Sequence, residues 1–260
     1  MPISCRHSIR PLSQREFGDI AFEVMGHVFV LHRELGRLFD EGIYQAEIAQ
    51  RVKNAVLEVP IDVTFGDFCK TYYMDLVVDG GAIFELKTVD VLVPRHKAQL
   101  LNYLLLTNSM HGKLVNMRPE NVVHEFINTT IRHADRVSFS IDDDNWREIG
   151  TARIEDLLIS LLRDWGVGLD LSLYEAAVGH FFNPQDLLTK PQFRAADGRL
   201  LGIQDVPQIA PGIAIRVTAV SQENLPAFEH HLCQFFRHTS LSALQWVNLT
   251  RQVVQFKTIT

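Results

Sequence analysis

Met74-Asp75-Leu76-Val77-Val78-Asp79-Gly80-Gly81-Ala82-Ile83-Phe84-Glu85-Leu86-Lys87 sets two apolar, β-type runs on either side of Asp79-Gly80-Gly81. Three such residues suit a tight hairpin loop with a glycine in the left-handed position. With that loop, Val78 pairs with Ala82, and counting outward sets Asp75 opposite Glu85. Partners across a hairpin stand about 4.5–5.5 Å apart at Cβ, and Glu85 and Lys87 share a face because strand side chains alternate. Two carboxylates and an ammonium therefore gather on one side of an otherwise apolar hairpin. Carboxylates this close repel unless a divalent cation lies between them, and hard oxygen ligands select Mg²⁺ or Mn²⁺. A cation held there lowers the pKa of a bound water and neutralises charge developing on a phosphate. Lys87 is placed to position or deprotonate that water, or to stabilise the transition state. The plainer reading is a cross-strand ion pair on a solvated sheet face.

Upstream of the hairpin, Ser13-Gln14-Arg15-Glu16 has capping-box spacing. Behind it Phe17, Ile20, Ala21, Val24, Val28, Leu31 and Leu35 recur at helical spacing until Gly36 closes the helix. A second helix is expected from about Asp40 to Asn54, then strands over 61–65, 69–78 and 82–87. Pro94 opens a third helix through 107, and 113–117 reads as a further strand. Helices, a meander, and then strands alternating with a helix make an α/β or α+β domain of about 120 residues; α/β is the fold class expected. In the third helix Gln99 and Tyr103, four apart, project from one face, as do Glu41 and Tyr44, three apart, in the second.

The order Glu41-x-x-Tyr44, Asp75, Glu85-x-Lys87, Gln99-x-x-x-Tyr103 resembles the GxxExxY family of the PD-(D/E)xK nuclease superfamily. The flanking His32-Arg33-Glu34-Leu35-Gly36 and His96-Lys97-Ala98-Gln99-Leu100-Leu101 agree with it, and the likeness spans roughly residues 15–130. It implies a restriction-endonuclease-like core and phosphodiester hydrolysis in nucleic acid. It also implies that Asp75 and Glu85 ligate Mg²⁺ or Mn²⁺ and that Lys87 is the catalytic lysine. Glu41 would be a further metal or water ligand, with Gln99 and Tyr103 orienting the lysine, the nucleophile or a phosphate. The family's first motif glycine falls on Leu38 here.

The second half echoes the first. Leu35-Gly36 with Ile43-Tyr44 returns as Trp165-Gly166 with Leu173-Tyr174, and the Ala82–Val89 run returns as 213–220. Pro94, Leu100 and Tyr103 return as Pro226, Leu232 and Phe235, and Leu114-Val115-Asn116-Met117 as Trp246-Val247-Asn248-Leu249. The offset stays at 130 to 132 residues, which points to two tandem copies of one fold packed as an intramolecular pseudo-dimer. The expected domains are 1–135, with the motif intact, and 145–260, a degenerate copy. Glu41 becomes Leu171, Glu85 becomes Arg216, Lys87 becomes Thr218 and Gln99 becomes His231; Asp75 falls on Val206, next to Asp205. Asp142-Asp143-Asp144-Asn145 reads as a solvated linker between the copies. Tyr44 and Tyr174 occur in both copies, which favours packing for Tyr44 over catalysis.

A net charge of −6, with −3 in each half, argues mildly against tight, sequence-independent binding to a phosphate backbone. It leaves open a protein partner, or a non-catalytic module that keeps the nuclease fold and binds nucleic acid or protein. Cys5, Cys69 and Cys233 are isolated and lack zinc spacing. No run is apolar enough for a membrane span or a signal peptide, so a soluble cytoplasmic protein is expected.

Overall fold

A computed structural model describes residues 2–149, 153–182 and 190–260. The chain divides into two compact units, Met1–His133 and Ala134–Thr260.

In the first unit the elements run β1 (Ile3–Cys5), α1 (Gln14–Leu35), α2 (Glu41–Arg51), β2 (Ala55–Phe65), β3 (Phe68–Val78), β4 (Ala82–Lys87), α3 (Pro94–Thr107), β5 (His111–Asn116) and β6 (Val123–Asn128). The six strands lie in sequence order in one sheet. Every neighbouring pair is antiparallel except β4 and β5, which run parallel, so a crossover is needed between them and α3 supplies it. Helix α1 starts on the expected capping box, with Ser13 accepting from the Glu16 amide and Glu16 reaching back to Ser13. Its apolar stripe, Phe17, Ala21, Val24, Val28 and Leu31, is buried with Tyr44 and Ile48 of α2 against Leu76, Val78, Phe84 and Leu86. Those strand residues are all even-numbered, so alternation turns Asp75, Glu85 and Lys87 to the opposite face. Helix α3 comes so close to β5 that a Cβ on Gly112 would meet Leu100 Cδ1 at 2.9 Å.

Two expectations shift here. Strand β2 starts at Ala55 rather than after Pro60, and α2 ends at Arg51. Pro60 is tolerated inside β2 because β1 pairs only with Ile61, Asp62 and Val63, leaving the edge at Pro60 with no ladder bond to donate. Tyr44 is fully buried, and its hydroxyl donates to the Gly36 carbonyl at 2.7 Å, a role in fixing the helix junction.

The second unit contains α4 (His133–Arg136), β7 (Ser140–Asn145), α5 (Ile154–Trp165), α6 (Leu171–Phe182), β8 (Gln192–Arg194), β9 (Leu200–Ile203), β10 (Gln208–Ala210), β11 (Ile213–Thr218), a 3₁₀ turn (Gln222–Asn224), α7 (Leu225–Arg237), β12 (Ala243–Leu249) and β13 (Val253–Ile259). Its main sheet is ordered β10-β11-β12-β13-β7. The acidic run Asp142–Asn145 is therefore not a linker: it lies in β7, an edge strand parallel to β13. Its charges misled because edge strands carry charge to discourage pairing with other chains.

With β8 and β9, a separate two-stranded sheet, set aside, α5 and α6 are followed by an antiparallel strand pair (β10 and β11), a helix (α7), a parallel strand (β12) and an antiparallel strand (β13). With β2 set aside, that is the order and direction of α1, α2, β3, β4, α3, β5 and β6. Details recur as well. Tyr174 donates to Gly166 O as Tyr44 does to Gly36 O. Asn116 receives Val89 N–H at 3.1 Å and donates to Val89 O at 2.6 Å; Asn248 does the same to Val220, at 2.7 and 3.0 Å.

Candidate active site

Strands β3 and β4 join through Asp79 and Gly80, both left-handed at φ of 49° and 63°, and Val78 pairs with Ala82 as expected. The ladder continues to Leu76 and Phe84 and stops there. Beyond it the backbones part, and Asp75 Oδ2 accepts the Leu86 N–H at 2.8 Å. A side chain thus stands where a carbonyl would be, which opens the end of the hairpin while keeping the amide satisfied.

Lys87 Nζ occupies that opening. It lies 2.7 Å from Glu85 Oε1, 3.5 Å from Asp75 Oδ2 and 3.4 Å from Glu41 Oε1, and it donates to the Leu86 carbonyl at 2.7 Å. Glu41 arrives from the first turn of α2. Asp75 and Lys87 are nearly buried and Glu85 is 0% exposed, so this is not an ion pair on a solvated sheet face. The hairpin and α2 bring together four of the six site residues expected from sequence. The other two, Gln99 and Tyr103, join one another on α3, Gln99 Nε2 donating to the Tyr103 hydroxyl at 3.0 Å.

Three carboxylates share one ammonium. Burial, and then the Asp75 charge, push the Glu85 pKa up to about 8 against the pull of Lys87. Burial likewise raises Asp75 and Glu41, with Lys87 opposing. Burial works against the Lys87 ammonium, but Glu85, Asp75 and Glu41 together outweigh it and raise its pKa. Burial, reinforced by Glu85, pushes the Tyr103 phenol up to about 12.

Glu58 was not anticipated. It interrupts the pairing of β2 with β3 between Leu57, opposite Leu76, and Val59, opposite Met74, which places it across from Asp75. Its φ of 48° is left-handed, rare for a residue other than glycine, asparagine or aspartate. Partial burial and then the Asp75 charge raise its pKa, so a fourth carboxylate feels the cluster. The sequence held one signal, a lone acid in Val56-Leu57-Glu58-Val59, but nothing in it marks the left-handed backbone there.

The residues suit a divalent cation in one respect above all. Neither oxygen of Glu85 has an aligned hydrogen-bond donor although both are buried; the Lys87 approach is close enough for an ion pair but is not directed as a hydrogen bond. A buried carboxylate left so is costly and is relieved by a cation. With Lys87 filling the opening, no set of three or more His, Cys, Asp or Glu side chains among the described residues stands in a metal-ligating arrangement.

Residues 18–129 match the family model of the PD-(D/E)XK nuclease superfamily. Over that stretch the chain is similar to the PD-(D/E)XK nuclease superfamily. The stretch contains every site residue named above, and the second unit lies outside it. No curated protein matches the chain. The crystal structure of SSO0001 is similar over 46% of this chain and 61% of that one, at 22% identity and a TM-score of 0.28. The overlap spans about three-fifths of that protein, and the score is too low for the likeness to carry weight. Among the described residues no helix is long and apolar enough to cross a membrane.

Proposed function

We propose that the first unit is a divalent-cation-dependent nuclease that hydrolyses phosphodiester bonds in nucleic acid. The observation that carries this reading is Glu85, fully buried with both oxygens lacking a directed donor, beside Asp75, Glu41 and Lys87 at the opened end of a hairpin. Asp75 and Glu85 would hold Mg²⁺ or Mn²⁺, with Glu41 a further ligand or an anchor for water. When bound, the cation supplies an activated water and neutralises charge on the phosphate. Lys87, released from the carboxylates, turns its ammonium to the attacking water or the scissile phosphate. Tyr103, protonated throughout the working pH range, offers its hydroxyl as a donor oriented by Gln99.

The second unit reads as a degenerate tandem copy of the first. The common element order, the parallel strand pair and the matching Tyr44/Tyr174 and Asn116/Asn248 contacts support it. Arg216 and Thr218 stand at the strand positions of Glu85 and Lys87, so that copy has lost its acid-lysine set.

The test is cleavage of labelled single- and double-stranded DNA and RNA in Mn²⁺, wild type beside Glu85→Gln. Cleavage by wild type alone supports a nuclease, and cleavage by neither or by both removes it. A second reading, a binding module that keeps the fold, is favoured by Lys87 already occupying the space between the carboxylates. It predicts strand binding without cleavage.

A further inference from the structure

We infer that the second unit holds a pocket for a nucleoside phosphate, built around Arg216 at the position that β4 gives to Glu85. The reading stands whether or not the first unit cleaves, because it uses none of that unit's residues.

A cavity of about 410 Å³ opens against β11 and α7, within the range that encloses small ligands. Arg216 is the one exposed residue of β11, and it lines the cavity. Among the described residues no carboxylate pairs with it. The one acid in the cavity wall, Asp205, is taken by Lys190 at 2.7 Å. His231 and Gln204 add further nitrogen-bearing groups to the wall. The rest of the lining is apolar, and its rings are Phe228 and Phe235. These are seven apart on α7, on one face of the helix, with His231 between them. Phe228 packs on Trp246 at 5.7 Å and Phe235 on Phe193 at 5.1 Å between ring centroids, so both rings are braced.

This chemistry is the inverse of the first site. Where β4 places an acid suited to a cation, β11 places a guanidinium, whose planar fork suits a phosphate. Where α3 carries Gln99 and Tyr103, the corresponding positions of α7 carry His231 and Phe235. A guanidinium at one point of an aromatic-walled cavity suits an anion attached to a flat ring. A nucleoside phosphate has that shape, its base stacking on the phenyl rings. The shared chemistry comes from two sources, a free mononucleotide or the 5′-phosphorylated end of a strand.

The experiment is calorimetric titration of the full chain with deoxyadenosine 5′-phosphate in EDTA, which keeps divalent cations from the first site. Saturable binding at one site is expected, weakened about ten-fold or more by Arg216→Gln and partly restored in Arg216→Lys. Deoxyadenosine without phosphate should bind at least about ten-fold more weakly than the nucleotide. Arg216 is exposed, so the variants should melt with wild type, and His231→Gln supplies an independent, smaller loss. Displacement by a 5′-phosphorylated oligodeoxynucleotide would assign strand ends as the source; failure to displace would assign the free nucleotide. No binding, binding indifferent to Arg216→Gln, or equal binding of the nucleoside would overturn the proposal.

Discussion

Asp75 Oδ2 accepts the backbone N–H of Leu86 at 2.8 Å, taking the place of a strand carbonyl where the hairpin ladder ends. One carboxylate oxygen thus holds the hairpin open and faces the ammonium of Lys87 at 3.5 Å. Folding and chemistry share this residue, so substitutions should separate them. Asp75→Ala leaves a buried amide without its acceptor and should lower stability by about 1–3 kcal/mol. Asp75→Asn keeps an acceptor oxygen and should retain most of that stability, yet lose cleavage. Urea unfolding of both variants beside the nuclease assay checks it; equal destabilisation by Asn and Ala would contradict it.

Glu85 gives the cation-free protein a pH dependence of defined sign. Its folded pKa, about 8, lies above its ordinary value of 4.5. Between those values the folded chain holds a proton that the unfolded chain has released. Stability should therefore fall as pH rises from about 4.5 to about 8 and level off above it. At pH 8.5 in EDTA, Glu85→Gln should be the more stable protein by a few kcal/mol, on the order of what such a shift represents. Thermal melts across pH read this directly. A wild-type profile parallel to that of the Gln variant would contradict the burial of a charged Glu85.

Tyr103 should act by donating a hydrogen bond rather than by losing its proton. With its pKa pushed up to about 12, the rate profile should carry no tyrosine limb below about pH 10. Tyr103→Phe removes the partner of Gln99 and should slow cleavage about ten-fold or more with little change in the melting midpoint. A rate unchanged from wild type would make Tyr103 a packing residue.

Asn116 and Asn248 each bind both backbone groups of one residue beyond the preceding parallel strand. Replacing either with Ala strands buried polar groups, and each should cost about 2–4 kcal/mol. Because the units are separately compact, Asn248→Ala should lower the melting of the second unit first. Hydrogen exchange resolved by segment would check this, and uniform loss across both units would contradict it.

Much of the first unit was legible because its signals are local. The capping box of α1, the Asp79-Gly80 turn, Pro94 at the start of α3 and strand alternation depend on near neighbours, and together they fixed which face carries Asp75, Glu85 and Lys87. The spacing of Glu85, Lys87, Gln99 and Tyr103 survived into space because strand and helix periods are rigid. What escaped depends on distant pairing. Strands β1 and β6 are short or polar and exist by virtue of β2 and β5. The acidic β7 takes its conformation from β13. Glu58 enters the site through a left-handed interruption of the ladder whose place opposite Asp75 only the β2–β3 register defines. Nor could sequence order reveal that Lys87 rests among the carboxylates, since that is a matter of side-chain placement.

The proposed nuclease requires the Lys87-bound acid cluster to open to a divalent cation. The most direct test of that requirement is Mn²⁺ binding to the full chain, followed by electron paramagnetic resonance, for wild type, Glu85→Gln and Lys87→Ala. Saturable binding by wild type, lost in Glu85→Gln and retained or tightened in Lys87→Ala, is the predicted result. Absence of binding in wild type, or binding indifferent to Glu85→Gln, would contradict it and leave the cluster a buried ion-pair network in an α/β domain.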